Sequence, residues 1–216
     1  ARAVLGLEMV QGGEIAIDGA PVRGPQGTAF ATRRAMQMVF QDPYGSFNPR
    51  HTVERLVAEP LHLLGPDAPS REEQRKRVEA VLAQVGLSTS DADKFIFEFS
   101  GGQRQRIAIA RALIVEPALI VLDEAVSALD VSIRAQILDL LAAISERMGV
   151  AYLFISHDLH VVRAVTDRVY VLKDGRVVES GPTTEIFEHP RHDYTRSLIA
   201  AAPRLDAALK SRFGNA

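Results

Sequence analysis

The chain has 216 residues, 47% hydrophobic and 24% charged, which fits one sizeable domain with an ordinary buried core and argues against a disordered or fibrous chain. The formal net charge of -2 offers no electrostatic footprint for nucleic acid, because duplex binders gather surplus Lys and Arg on one face. With no cysteine the chain cannot build a disulfide framework or a thiolate-held zinc or iron–sulfur site, and its longest apolar runs, such as Ala118 to Leu122, fall far short of the about 20 residues that span a bilayer.

Residue 1 falls inside an apolar pattern (Ala3, Val4, Leu5, Leu7) that reads as the tail of a helix closed at Gly6, with no charged leader before it; a truncated beginning is the expectation. Gly12-Gly13 then turns into an alternating strand from Glu14 to Gly19, and a second strand is predicted from Met36 to Phe40. Pro43, Gly45, Pro49, Pro60 and Gly65 punctuate the stretch from Asp42 to Pro66, which predicts loops and short helices. Ser70 and Glu73 have the spacing of a capping box, Val78, Val81, Leu82 and Val85 form one apolar stripe, and Gly86 stands where the helix would be capped. A helix is read from Ser100 to Val115, and a strand buried on both faces from Ala118 to Leu122. An amphipathic helix follows from Val131 to Met148, with Ile133, Ile137, Leu140, Leu141 and Ile144 on its apolar side. Ala151 to Ile155 reads as another buried strand, Leu159 to Val165 as a short helix, and Arg168 to Leu172 as a strand turning at Lys173-Asp174-Gly175-Arg176 into Val177-Val178-Glu179. Alternating strands and helices predict an α/β fold with a mainly parallel, helix-covered sheet, and such sheets gather their chemistry at the carboxyl ends of strands.

Two segments carry chemistry. The strand Leu119-Ile120-Val121-Leu122 delivers Asp123 and Glu124 where it leaves the core. One carboxylate can hold Mg²⁺ while the next orients and deprotonates a water that attacks a γ-phosphate. On its own the pair reads equally well as a solvated acidic strand end. Ser100-Gly101-Gly102-Gln103 opens a helix; Ser and Gln at that spacing form a capping box, while the two glycines and the positive helix end suit close approach of a phosphate. Arg104, Arg106 and Arg111 are read as surface or ion-paired arginines.

Together these segments resemble the ABC ATPase family. Phe99-Ser100-Gly101-Gly102-Gln103-Arg104 resembles its signature motif, with Phe99 where Leu is usual, and it lies the expected short distance before a Walker B strand ending at Asp123-Glu124. Ser127-Ala128-Leu129-Asp130 resembles the D-loop, His157 in Ile155-Ser156-His157-Asp158 the switch histidine, and Gln41 in Val39-Phe40-Gln41-Asp42-Pro43 the Q-loop glutamine. The resemblance implies a P-loop NTPase core with a helical subdomain at about residues 43–115. It also implies a second ABC ATPase domain, head to tail with the first, so that ATP is sandwiched between the Walker A loop of one and the signature helix of the other. On that carry-over Asp123 and Gln41 serve Mg²⁺, Glu124 is the general base, His157 contacts the γ-phosphate, and Gln41 also senses the attacking water and links to the permease. Ser100, Gly101, Gly102 and Gln103 would contact the partner's ATP, and Asp130 would act across the dimer interface.

One motif of the family is missing from these residues. No G-x-x-x-x-G-K-S/T occurs, and none of the four lysines, Lys76, Lys94, Lys173 and Lys210, follows a glycine. The resemblance puts that loop just upstream of Ala1, so the expectation is a single partial domain over residues 1–216 that binds ATP poorly by itself. The segment from Glu188-His189-Pro190-Arg191-His192-Asp193-Tyr194-Thr195 to Ala202-Pro203 resembles the C-terminal extension, at about residues 189–216, of oligopeptide, dipeptide and nickel importer ATPases. Asp123-Glu124-Ala125-Val126-Ser127-Ala128-Leu129-Asp130-Val131-Ser132 and Tyr44-Gly45-Ser46-Phe47-Asn48-Pro49-Arg50 are similar to that group as well. His189 and His192 read as a packed or capped tail in preference to a metal site. The resemblance therefore implies an ATP-hydrolysing subunit of a peptide importer. It would sit on the cytoplasmic face of the inner membrane with transmembrane permease subunits and, indirectly, a solute-binding protein. Two alternatives stay open: a soluble ABC ATPase outside transport, for which no coiled-coil insertion, basic patch or tandem domain speaks, and a catalytically incomplete docking module.

Overall fold

A computed structural model describes residues 2–17, 19–24, 27–42 and 44–202; Pro43 and the expected extension from Pro203 onward lie outside the described residues. The chain divides into two compact units, Ala1–Ile155 and Ser156–Ala216.

In the first unit the expected helix tail is a turn in which Leu7 N–H donates to Arg2 O (2.9 Å), closed by Gly6 at a positive φ of 66°. A Cβ on Gly6 would sit 2.7 Å from Thr28 Oγ1, so glycine is required there both for conformation and for space. The strand expected from Glu14 to Gly19 contracts to β1 (Ala16–Ile17), paired antiparallel with β2 (Ala20–Pro21). Alternation alone does not extend a strand whose side chains stay largely exposed, and here Glu14 and Ala16 bury nothing.

Helix α1 (Phe30–Ala35) feeds directly into β3 (Met36–Val39). Next come a 3₁₀ turn (Tyr44–Ser46), α2 (Val53–Ala58), a 3₁₀ segment (Glu59–Asp67) bent at Gly65, and α3 (Arg71–Gln84). Ser70 Oγ accepts from Glu73 N–H (3.3 Å), while the Glu73 carboxylate reaches Arg77 (3.4 Å); half of the expected capping box is therefore present. Gly86 ends the helix at a φ of 75°. Arg75 ties α3 to Glu54 of α2 and to Asp93, each at 2.6 Å, and its guanidinium holds the Asp93 carboxyl below the usual carboxylate range. Helix α4 (Gly101–Leu113) completes this helical region, burying Ile107, Ala108, Ile109 and Leu113.

Strand β4 (Leu119–Asp123) is central in a parallel sheet of order β3-β4-β5, where β5 is Ala151–Ile155. Val39 pairs with Leu122 and Asp123 with Ile155, so the three carboxyl ends stand side by side. Ile120, Val121 and Leu122 are 0% exposed, as a central parallel strand requires, and each stabilises the fold by about 1.5–3 kcal/mol. β5 corrects the expectation of a second fully buried strand. Among the described residues β4 is its only strand neighbour, and Leu153 is 36% exposed.

Between β4 and β5 runs α5 (Val131–Met148), which buries Ile137, Leu141 and Ile144 and ends at Gly149 with a φ of 68°. The Tyr152 hydroxyl donates to Leu141 O (3.0 Å), fastening β5 to α5. Burial pushes that hydroxyl from 10 up to about 12. The unfolded chain therefore ionises first, so this contribution is fully present below the ordinary value and lost as pH rises through the folded one. With the half-buried ring's exposure discounted, we expect stability to fall by about 1 kcal/mol across that window. Alkaline unfolding of Tyr152→Phe should lack this step, and identical pH profiles in the two proteins would contradict it.

The second unit holds α6 (Leu159–Val165), the antiparallel hairpin β6 (Arg168–Lys173) and β7 (Arg176–Pro182), α7 (Thr183–Glu188) and α8 (Asp193–Ala201). Asp174 and Gly175 make the two-residue turn at φ values of 50° and 75°, the conformation that matches the twist of paired strands. Among the described residues β6 pairs with β7 alone, as the expected hairpin requires. His192 caps α8 by accepting from Tyr194 N–H (3.0 Å), and Glu179 of β7 accepts from Arg191 N–H (2.7 Å) and His192 N–H (3.2 Å). Among the described residues no helix is long and apolar enough to cross a membrane.

Candidate nucleotide site

The carboxyl end of β4 is shaped by a backbone reversal. Asp123 is the last residue of the strand and Glu124 N–H donates the final rung to Ile155 O (2.9 Å). Glu124 then adopts a φ of 49°, a left-handed conformation that costs a non-glycine residue about 1 kcal/mol and persists only where the surroundings impose it. The surroundings do so here. Ala125 and Val126 are buried, while Ser127 donates to Glu124 O twice, from its N–H (3.0 Å) and from its hydroxyl (2.8 Å). From α5, Arg134 Nη2 donates to Leu129 O (3.2 Å) and Ser127 O (3.4 Å). Both carboxylates leave this braced turn partly exposed. Gln41, two residues beyond β3, reaches the same turn, its Nε2 donating to Ser127 Oγ at a long 3.4 Å.

Ser100 to Gln103 form a separate cluster at the start of α4. The capping box is complete: Ser100 Oγ accepts from Gln103 N–H (3.4 Å) and Gln103 Oε1 from Ser100 N–H (2.9 Å). Gly101 faces open space, and a Cβ there would meet nothing within 4 Å. Gly102 differs, since its Cβ would lie 2.6 Å from Ile133 Cγ2 of α5. The three arginines of this helix bond to backbone carbonyls of neighbouring segments. Arg104 donates to Ile96 O (3.1 Å) and Arg106 to Val85 O (2.7 Å). Arg111 donates to Ser46 O (3.1 Å) and lies over the Phe47 ring (4.7 Å), where burial lowers its pKa. Asp130 occupies the N-cap position of α5 with an exposed side chain that makes no capping bond.

His157 belongs to the second unit, where it is exposed in a turn tightened by the bond from Asp158 N–H to Ser156 Oγ (3.0 Å). The structure thus joins Gln41, Asp123, Glu124 and Ser127 in one turn within the first unit. Sequence reasoning identified the first three, whereas the bracing by Ser127 and Arg134 and the strain at Glu124 had no visible signal.

Residues 1–127 match the profile of the ABC transporter family, and residues 178–215 match the C-terminal region of oligopeptide/dipeptide transporters. The oligopeptide transport ATP-binding protein OppF of Escherichia coli is 46% identical over 211 residues, covering 97% of this chain and 63% of OppF. The glutathione import ATP-binding protein GsiA of Pectobacterium atrosepticum is also 46% identical, over 98% of this chain and 34% of that protein. The AmiF protein of Streptococcus pneumoniae, likewise described as an oligopeptide transport ATP-binding protein, is 43% identical over 98% of this chain and 69% of its own length. Among solved structures, cbiO1 of Clostridium perfringens, part of an ABC transporter complex, superposes with a TM-score of 0.76 at 28% identity, over 97% of this chain and 80% of that one. A dimeric ATP-binding cassette in a post-hydrolysis state, bound to ADP and Pi, gives a TM-score of 0.70 at 30% identity, over 84% of this chain and 78% of that one. The chain belongs to the ABC transporter family and has the α/β fold of its ATP-binding domains. It spans about a third to two thirds of the length of the relatives named here.

Proposed function

We propose that the whole protein is the ATP-hydrolysing subunit of an ABC importer of peptides. One observation carries the reading: a strand buried at Ile120, Val121 and Leu122 ends in two adjacent carboxylates, with Gln41 bonded to the turn that follows, in a chain 46% identical to an oligopeptide transport ATP-binding protein. Glu124 accepts a proton from water as its oxygen bonds to the γ-phosphorus of ATP; the bond from that phosphorus to the β–γ bridging oxygen breaks, and ADP and phosphate leave.

Asp123 and Gln41 offer the oxygen donors that Mg²⁺ prefers. Mg²⁺ takes one or two protein oxygens and would complete its shell with phosphate and water. When bound, Mg²⁺ neutralises charge on the transferred phosphoryl group. In the same reading a second ABC ATPase domain pairs head to tail with this one. Ser100, Gly101, Gly102 and Gln103 then contact the partner's ATP, Asp130 crosses the interface, and His157 contacts the γ-phosphate. Gly101 is suited to its part because open space lies where a Cβ would be. Permease subunits anchor the pair at the cytoplasmic face of the inner membrane, and a solute-binding protein delivers peptide from the other side. The helical region at about residues 43–115 and the extension at about 189–216 are separate parts of one domain in this reading.

The test is the whole protein reconstituted with its permease in liposomes. ATP turnover coupled to peptide uptake is expected, and turnover without uptake of any peptide would reject the importer reading.

A further inference from the structure

Hydrogen-bond bookkeeping at Ser127 has a consequence for Gln41. A serine hydroxyl carries one hydrogen, and this one goes to Glu124 O at 2.8 Å. Toward Gln41 the oxygen can therefore only accept, and the amide must present Nε2 to it. That orientation turns Oε1 to the opposite side of the amide, away from Ser127. The same hydroxyl braces the carbonyl of a residue held at a φ of 49°, and Arg134 holds the Ser127 carbonyl from α5.

We propose that Ser127 is a positioning residue for the hydrolytic site: by accepting from Gln41 and donating to Glu124 O, it sets the Gln41 carbonyl oxygen outward and keeps the Glu124 turn closed. The inference rests on the ATPase reading above and adds the group that orients two of its residues. Ser127 itself need touch neither nucleotide nor metal. Its effect reaches the chemistry through Gln41, the oxygen donor, and Glu124, the base.

Steady-state ATP hydrolysis by the whole protein, titrated with Mg²⁺, tests this. Ser127→Ala is expected to lower kcat about tenfold and to raise the Mg²⁺ concentration needed for half-maximal rate, while KM for ATP stays within about twofold. Ser127→Thr, which keeps the hydroxyl, should recover most of the loss. Gln41→Ala combined with Ser127→Ala should be less slow than the product of the two single losses, since the part of the Ser127 effect that runs through Gln41 is already lost in Gln41→Ala. The proposal is overturned if Ser127→Ala keeps full kcat and Mg²⁺ response, if the threonine variant is as impaired as alanine, or if the two losses multiply. Failure of the underlying ATPase reading looks different: the unsubstituted protein would not hydrolyse ATP, or Glu124→Gln would turn over normally.

Discussion

Glu124→Gln in the whole protein is expected to lower ATP turnover by about 10²–10⁴-fold while ATP binding and thermal stability stay close to those of the unsubstituted protein. The amide matches the carboxylate in shape and keeps the partly exposed position beyond β4, yet it cannot take up the proton of the attacking water. The backbone strain at a φ of 49° is common to both side chains, so the substitution leaves it unchanged. Glu124→Gly supplies the contrast. It removes the same base and also relaxes the left-handed conformation, so a protein that is as slow but more stable by up to about 1 kcal/mol is expected. Measured turnover, nucleotide affinity and unfolding midpoint together separate the roles of side chain and backbone. Normal turnover in Glu124→Gln would take the general base away from this residue.

The two glycines that open α4 should respond in opposite directions. At Gly101 nothing lies within 4 Å of an added Cβ, so Gly101→Ala gains helix propensity and stabilises the fold by up to about 1 kcal/mol. In the proposed function it nonetheless slows hydrolysis, because the methyl group stands where the partner's phosphate approaches. At Gly102 the added Cβ meets Ile133 Cγ2 at 2.6 Å, and Gly102→Ala should destabilise by about 1–3 kcal/mol as α4 and α5 are pushed apart. Ile133→Ala removes the obstructing atom, so in that background the Gly102→Ala cost should fall below about 1 kcal/mol. Chemical denaturation of the four proteins measures the coupling. Equal costs in both backgrounds would show that Ile133 is not the reason for glycine at 102.

Where one physical signal dominated, the sequence was enough. Val131–Met148, Ala151–Ile155 and Leu159–Val165 form over the residues their apolar patterns predicted, and Ser100 and Gln103 make the reciprocal bonds their spacing implied. Burial was harder to read. The apolar run Ala151–Ile155 looks like the run Leu119–Leu122, but β4 has strand neighbours on both sides and β5, among the described residues, on one. Composition cannot report how many neighbours a strand finds. In the site, residue types exposed the carboxylates and the family resemblance pointed to Gln41, whereas the positive φ of Glu124, the packing reason for Gly102 and the carbonyl-bound state of Arg104 and Arg106 are three-dimensional facts with no local signature.

The central claim is a division of labour between neighbouring carboxylates, with Asp123 holding the metal and Glu124 the proton. Manganese can stand in for magnesium as a paramagnetic probe, so its binding in the presence of ATP should be measured by electron paramagnetic resonance on the whole protein. Asp123→Asn is expected to lose the ATP-dependent manganese signal and Glu124→Gln to keep it. Loss in both variants, or in Glu124→Gln alone, would contradict the account.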